Sequence, residues 1–429
     1  MKNLLLERSQ ILRAVGQYSY YTGLFLLPSA FSISAIILLF ASILSFFYVR
    51  QSLFHDNLNK FFLASIFLLL ISSLFNSNSV NEIQGLESID WFTKNIGLLN
   101  WLPLILCFYS FQTYLKSRSF RRNSAVLLFL GTLPVIYSVV GQAFFDWHGP
   151  LQFLNGLIIW YQRPINGITS VTGLFNNQNY LGSWLTIIWP FGLALFLEKD
   201  RAILRKIFIF AFQVLIAFSI ILSASRAAWL NLLISIPIFF GSKSLKFFIP
   251  LLILILTIFL LIFIPIFGIE FQNLMKQLIP SGIWENFNPS IYEYDGSISR
   301  LGLWKEALKM ISENPLFGTG SSTYGYLLES KIGIWRAHSH NLPLELMVSY
   351  GIPAAISILI PITFLIKKSY EEIFINRYHQ IKETLFDRAW ITSLILLSIS
   401  HLVDIQYFDG RISIAGWSLL AGAWAIIRN

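Results

Sequence analysis

Two histidines stand two residues apart in R-A-H-S-H-N-L-P-L-E, which places His338 and His340 just before an apolar run that also carries Glu345. An imidazole titrates near neutral pH, so it can take a proton from a hydroxyl nucleophile; the alternative is a hydrogen-bonded structural ring. Metal is not expected, because no third ligand stands at a recognisable spacing and the chain has only 6 histidines. Arg226 lies in S-A-S-R-A-A-W, between two apolar runs, and Arg300 lies in S-I-S-R-L-G-L-W. A guanidinium stays charged and forks onto phosphate oxygens, so two arginines brought together could clamp a diphosphate. Arg226 could equally be a snorkelling anchor, and Arg300 a solvated side chain. In the first turn of a helix, however, Arg300 would oppose the helix dipole, so something other than the helix must favour it.

Other polar groups interrupt the apolar pattern. Asn176, Asn177, Gln178 and Asn179, in T-G-L-F-N-N-Q-N-Y-L-G, open an apolar run, and their amides can cap a helix or hold sugar hydroxyls. Gly318 and Gly320 in F-G-T-G-S-S-T-Y-G lack a preceding strand and a lysine in Walker spacing, so they read as a turn. Asp404, Tyr407, Asp409 and Arg411 form a further cluster, with His401 one helical turn before Asp404; their spacing assigns them no role.

The elements that must position these residues are membrane spans. With 55% hydrophobic and 12% charged residues, no water-soluble domain of this length is expected. Apolar stretches fall at about 12–29, 31–49, 61–76, 92–114, 124–144, 175–197, 204–222, 227–241, 246–268, 342–366, 387–407 and 411–427. The fold class is therefore an all-α membrane protein of about twelve transmembrane helices, a single polytopic domain over 1–429. Pro28 and Ser29 mark either a hairpin between the first two helices or a kink in one long helix.

Charge sets the orientation. Arg50 with Lys60, then Lys116 to Arg122, Lys199 to Lys206, Lys243 with Lys246, and Lys367 with Lys368 fall in alternate loops, which makes those loops and both termini cytoplasmic. The segment 77–91 has Glu82, Glu87 and Asp90 but neither Lys nor Arg, as an outer loop should. The net charge of +9 thus serves topology, and no nucleic-acid partner is expected. The basic N-terminus leads into a stretch without a small-residue cleavage site, so it reads as a retained span. Cys107 is the single cysteine, which excludes an intramolecular disulfide and a thiolate metal site. The outer side then carries a long loop, 269–341, between the ninth and tenth spans. It holds a short amphipathic helix from near Ser299 to before Asn314, with Leu301, Trp304, Leu308 and Ile311 on one stripe.

Taken in order, T-G-L-F-N-N-Q-N-Y-L-G, S-A-S-R-A-A-W, R-L-G-L-W-K-E-A, N-P-L-F-G-T-G and H-S-H-N before a span resemble the O-antigen ligase and polymerase superfamily over about residues 160–355. In that family a histidine, an asparagine, nine residues and a glycine mark the ligases, and His340, Asn341 and Gly351 fit; three residues on, Ala354 departs from the pattern. The resemblance implies a GT-C-like membrane glycosyltransferase in the bacterial inner membrane, with a periplasmic active site and no cofactor. Its donor would be an undecaprenyl-diphosphate-linked glycan, its acceptor a saccharide such as lipid A core, and membrane lipids its surroundings. It implies His340 as base and Arg226 and Arg300 on the diphosphate, with His338, Asn179 and Asn341 as weaker substrate contacts. The alternatives are a polysaccharide polymerase of the same superfamily and a bicarbonate or small-anion transporter-like relative.

Overall fold

In a bilayer every backbone N–H and C=O must be satisfied internally, so an apolar chain of this kind folds as helices. The computed structural model describes residues 2–49, 56–79, 90–166, 170–199, 202–278 and 298–428. The expected Arg50, Glu82, Glu87 and Arg201, and residues 279–297 of the long loop, lie outside the described residues. Among the described residues the strands are β1 (Leu151–Phe153) and β2 (Ile158–Trp160), an antiparallel hairpin. The rest of the described regular structure is helical, and among the described residues nine helices are long and apolar enough to cross a membrane. Two more, Phe31–Phe47 and Arg226–Phe240, are apolar but shorter.

The first two stretches form a hairpin. α1 (Lys2–Leu26) turns at Leu27–Ala30 into α2 (Phe31–Val49). Ser34 Oγ donates to Gly23 O at 2.8 Å, a contact that one kinked helix could not make. Trp160 of β2 donates its indole N–H to Ser29 O at 2.8 Å and fixes the turn.

The centre of the bundle is built by α8 (Gln178–Leu197), α16 (Leu385–Val403) and α17 (Gly410–Arg428), with Trp184, Phe191 and Trp390 fully buried among them. Lipid offers little hydrophobic drive between helices, so close packing and interhelical hydrogen bonds hold them together. Ser393 Oγ donates to Ile187 O at 2.6 Å, joining α16 to α8. α10 (Arg226–Phe240) is tied to α16 by Asn231, whose Nδ2 donates to Leu396 O at 3.1 Å and to Ser400 Oγ at 2.7 Å. α15 (Leu342–Tyr370) joins α3 (Asn57–Ser79), where Ser65 Oγ donates to Ser357 O at 2.8 Å. α11 (Leu245–Phe263) stands at the periphery, with Phe248 and Ile262 as its buried residues.

Between α11 and α15 the described residues form α12 (Ile269–Leu278), α13 (Arg300–Glu313) and α14 (Tyr324–Ile332), where the sequence suggests a single amphipathic helix. α13 starts where expected: Ser299 Oγ accepts from Gly302 N–H at 3.2 Å. Its buried stripe overlaps the expected one only in part: Ile311 is buried and Trp304 packs against the cluster, but the other expected residues do not. Leu303, Ala307, Met310 and Ile311 pack against Tyr324, Leu327, Leu328 and Val348, whereas Leu301 is 72% and Leu308 57% exposed. Both stripes have helical spacing; packing on α14 and α15 selects between them.

The Gly318 to Gly320 segment is a turn, and it docks on a break in α15. Gly351 adopts φ 80 and ψ 167, which interrupts the helix and frees carbonyls. Thr319 N–H donates to Val348 O at 2.7 Å, Gly320 N–H to Ser349 O at 3.0 Å, and Ile352 N–H to Pro315 O at 2.8 Å. The broken helix thus recovers its backbone bonds from the N-P-L-F-G-T-G turn.

Candidate active site

Helices α8 and α10 begin, α16 ends and α15 begins at one end of the bundle, here called the upper end. Asp404 is the C-cap residue of α16, in extended backbone, with its N–H donating to Ser400 O at 2.9 Å. His340 immediately precedes Asn341, the N-cap of α15. Asn341 Oδ1 accepts from Leu344 N–H at 3.0 Å while its Nδ2 donates to Leu402 O at 2.9 Å, so one side chain starts α15 and ties it to the end of α16. Asn341, expected near substrate, therefore has a structural task.

His340 lies in the left-handed region at φ 55, uncommon for a residue with a Cβ and found at sites where neighbours over-determine the backbone. The neighbours here are identifiable. Ser339 N–H donates to Oε2 of the buried Glu345 at 2.9 Å, Ser339 Oγ donates to Asn341 O at 3.1 Å, and His340 N–H donates to His338 Nδ1 at 3.2 Å.

This turn delivers His340 Nδ1 to 2.8 Å from Asp404 Oδ1. An ionised carboxylate can only accept, so Nδ1 carries the hydrogen and Nε2 keeps its lone pair. Asp404 Oδ1 also accepts from Ile405 N–H at 2.9 Å, and Oδ2 accepts from Asn179 Nδ2 at 2.9 Å. Burial by itself would raise the Asp404 pKa, but the His340 hydrogen bond and the charges of both histidines hold it below the ordinary carboxylate value. Asn179, expected to meet sugar, holds through its Nδ2 the carboxylate that contacts His340.

His338 packs edge-on to His340, with ring centroids 4.3 Å apart, and stacks on Phe408 at 5.4 Å. Burial first, then His340 and the positive charge of Arg300, push its pKa down to about 4 against the pull of Asp404. His338 is therefore neutral near pH 7, in keeping with its Nδ1 acting as an acceptor. Arg300, the exposed first residue of α13, contributes to that downward push and so lies within electrostatic reach of His338.

Arg226 is the exposed first residue of α10. Its neighbours Ser225 and Ala228 press on Gly182, where an added Cβ would lie 2.7 Å from that of Ala228. Gly182 is one helical turn from Asn179, so Arg226 opens its helix at the same upper end. Arg411 is committed to structure: it pairs with Asp409 at 2.5 Å, donates to Leu174 O at 3.0 Å and lies 3.9 Å over the Phe175 ring. It anchors the T-G-L-F segment before α8 to the start of α17.

Below the histidines, an apolar cavity of about 380 Å³ runs into the bundle beside Leu342, Pro343, His401, Leu402 and Tyr407. The third donor that no spacing reveals is Asp404. One ligand atom each from His338, His340 and Asp404 lies within 4.8 Å of the others.

The sequence points to His340 but not to Asp404 as its partner. The visible signal was an acidic residue closing an apolar run; the missing information was that the end of α16 meets the start of α15.

Comparison with known proteins supports the resemblance. Residues 210–359 match the family described as O-Antigen ligase, a segment that contains Arg226, Arg300, His338, His340, Asn341 and Gly351. A protein of Haemophilus influenzae described as an uncharacterized protein is 24% identical over 371 residues, covering 81% of this chain and 83% of that one.

Proposed function

Taking as premise that this is a chain of the O-antigen ligase and polymerase superfamily, we propose that it transfers a glycan from an undecaprenyl-diphosphate carrier to a hydroxyl of an acceptor sugar, as in lipid A core. The observation that carries the reading is the 2.8 Å contact between His340 Nδ1 and Asp404 Oδ1. It leaves Nε2 as a base whose protonated form the carboxylate stabilises. Nε2 takes the proton of the acceptor hydroxyl as its oxygen bonds to the anomeric carbon. The bond from that carbon to the phosphate oxygen breaks, and its electrons leave with the diphosphate. A single in-line displacement inverts the anomeric centre. Arg226 and Arg300 neutralise the charge that gathers on the diphosphate, so the step proceeds without a metal ion.

The bilayer placement belongs to the same proposal: twelve spans in the bacterial inner membrane, both termini cytoplasmic, and residues 269–341 in the periplasm with the upper end. In support, Arg118, Arg122, Lys199 and Lys382 gather at the opposite end, as cytoplasmic cations should. The apolar cavity beside Leu342 and Tyr407 suits the isoprenoid of the carrier. A polymerase is the second reading, favoured by Ala354, which departs from the ligase pattern. Loss of a ligase leaves long carrier-linked chains unattached, whereas loss of a polymerase leaves single repeat units on the core, and a gel separates the two.

The direct test is transfer by purified protein from a carrier-linked glycan. His340→Ala is expected to lower the rate by about 10²- to 10⁴-fold, the usual contribution of a general base. Arg226→Ala and Arg300→Ala are expected to lower it without abolishing it. Wild-type rates in the His340 variant would sink the assignment.

A further inference from the structure

We propose that His338, His340 and Asp404 also form a site for a divalent transition-metal ion, with Zn(II) the best fit, and that filling it silences His340. The metal-binding half stands on the geometry alone; the silencing half rests on the reading of His340 as base.

The donor set is two imidazoles and one carboxylate, the N and O ligands that Zn(II) accepts, with a fourth position left to solvent. Zinc bonds of about 2.0–2.2 Å require tetrahedral ligand atoms to lie roughly 3.3 Å apart. The three donors already lie within 4.8 Å of one another, and the closest pair is 2.8 Å apart, so gathering them takes shifts of the order of an ångström. The turn at His340 is what makes this possible, since its left-handed backbone brings the two rings to 4.3 Å. Asp404 is held from behind by Asn179 on its other oxygen, the kind of outer hydrogen bond that orients metal ligands. The His340 side chain is 28% exposed, which gives an ion a way in.

Zinc would bind the Nδ1 lone pair of the other neutral tautomer, so the hydrogen moves from Nδ1 to Nε2 and the lone pair that serves as base is lost. The ring nitrogen and Asp404 would then be bound to metal, and the carboxylate could no longer stabilise an imidazolium. One ion therefore removes both halves of the base. Arg300 works against the metal, because a cation near His338 repels a second one. This gives the proposal an unusual sign: removing a positive side chain should tighten binding, while removing a ligand should weaken it.

The experiment uses the purified full chain in detergent, stripped with a chelator and titrated with Zn(II) against a chromophoric zinc indicator. One Zn(II) per chain is expected. Both His338→Ala and Asp404→Asn should weaken it by more than 10-fold, and Asn179→Ala by about 10-fold, the usual loss for an outer partner. Arg300→Ala should bind more tightly than wild type. Melting curves of each variant identify any that fails to fold, and Asp404→Asn changes shape least. In the transfer assay, Zn(II) should halt wild-type turnover and a chelator should restore it. Absence of stoichiometric zinc, or equal binding by wild type and both ligand variants, would overturn the site. Full transfer by zinc-loaded wild type would overturn the silencing. A chain that binds zinc as described but transfers no glycan from any donor would keep the metal site and fell the glycosyltransferase reading.

Discussion

At the scale of residues, His340 and Asp404 form a hydrogen-bonded pair that only the fold creates. A histidine before a span was visible as a candidate base because imidazole chemistry belongs to the residue itself. Its carboxylate partner was not visible, since 64 positions separate them and the contact depends on where two helices end. The same reason explains Asn179 and Asn341. Each has an amide suited to sugar, yet one holds Asp404 and the other caps α15. Asp404→Asn keeps the shape but replaces an acceptor-only group by one that can donate, so the amide cannot stabilise an imidazolium and can select the wrong tautomer. The expected outcome is a fall in kcat of about 10²- to 10⁴-fold with little change in KM for the donor, since the proposed diphosphate contacts of Arg226 and Arg300 would remain. A rise in KM at constant kcat would instead make Asp404 a substrate-binding residue.

At the scale of elements, the apolar runs were legible because a span needs about 20 apolar residues whatever its partners. The buried face of α13 was legible only at Trp304 and Ile311, because two overlapping stripes of helical spacing coexist and the choice lies in what covers them. The α1 and α2 hairpin was likewise open until Ser34 met Gly23. Gly351 joins the two levels: the spacing from His340 marked it, and the structure explains it. At φ 80 and ψ 167 any residue with a Cβ is strained by about 1–3 kcal/mol, and a Cβ added at Gly351 would also press on the Leu316 carbonyl. Gly351→Ala should therefore loosen the turn at 315–320 and tilt the part of α15 that follows His340. The expected result is a lower melting temperature together with reduced transfer. A thiol-reactive dye can report it, because Cys107 is the single cysteine and is partly buried. Unchanged melting would show that α15 tolerates an unbroken backbone there.

At the scale of the molecule, the proposed site lies at the upper end, and a buried bidentate ion pair, Arg121 with Asp387, lies at the other. Asp387 and Asp404 open and close α16, about 25 Å apart at 1.5 Å per residue. Asp387 accepts from Arg121 Nε at 2.6 Å and from its NH2 nitrogen at 3.1 Å, joining α16 to α6 (Arg118–Gly131); the side chains are 3% and 1% exposed. Arg121 also donates to Leu115 O at 3.0 Å, so it gathers the start of α6 and the end of α5 (Leu102–Leu115) onto α16. Sequence placed Arg121 in a basic loop and read it as topology, because nothing local shows that an arginine near an interface is buried. Removing Asp387 leaves the Arg121 charge buried without a carboxylate, and removing Arg121 leaves Asp387 only the half-exposed Arg118 at 3.6 Å; losing one partner of a buried pair costs about 3–5 kcal/mol, whereas an apolar pair of similar volume is often neutral or better. Arg121→Met or Asp387→Leu alone should therefore lower thermal stability sharply, and the double variant should recover most of it. If the bundle transmits nothing from that end, the double variant should also transfer glycan at the wild-type rate. Recovered stability with lost transfer would mean that the pair sets the helix positions His340 and Asp404 depend on, and circular dichroism melts with transfer assays on the three variants distinguish the two.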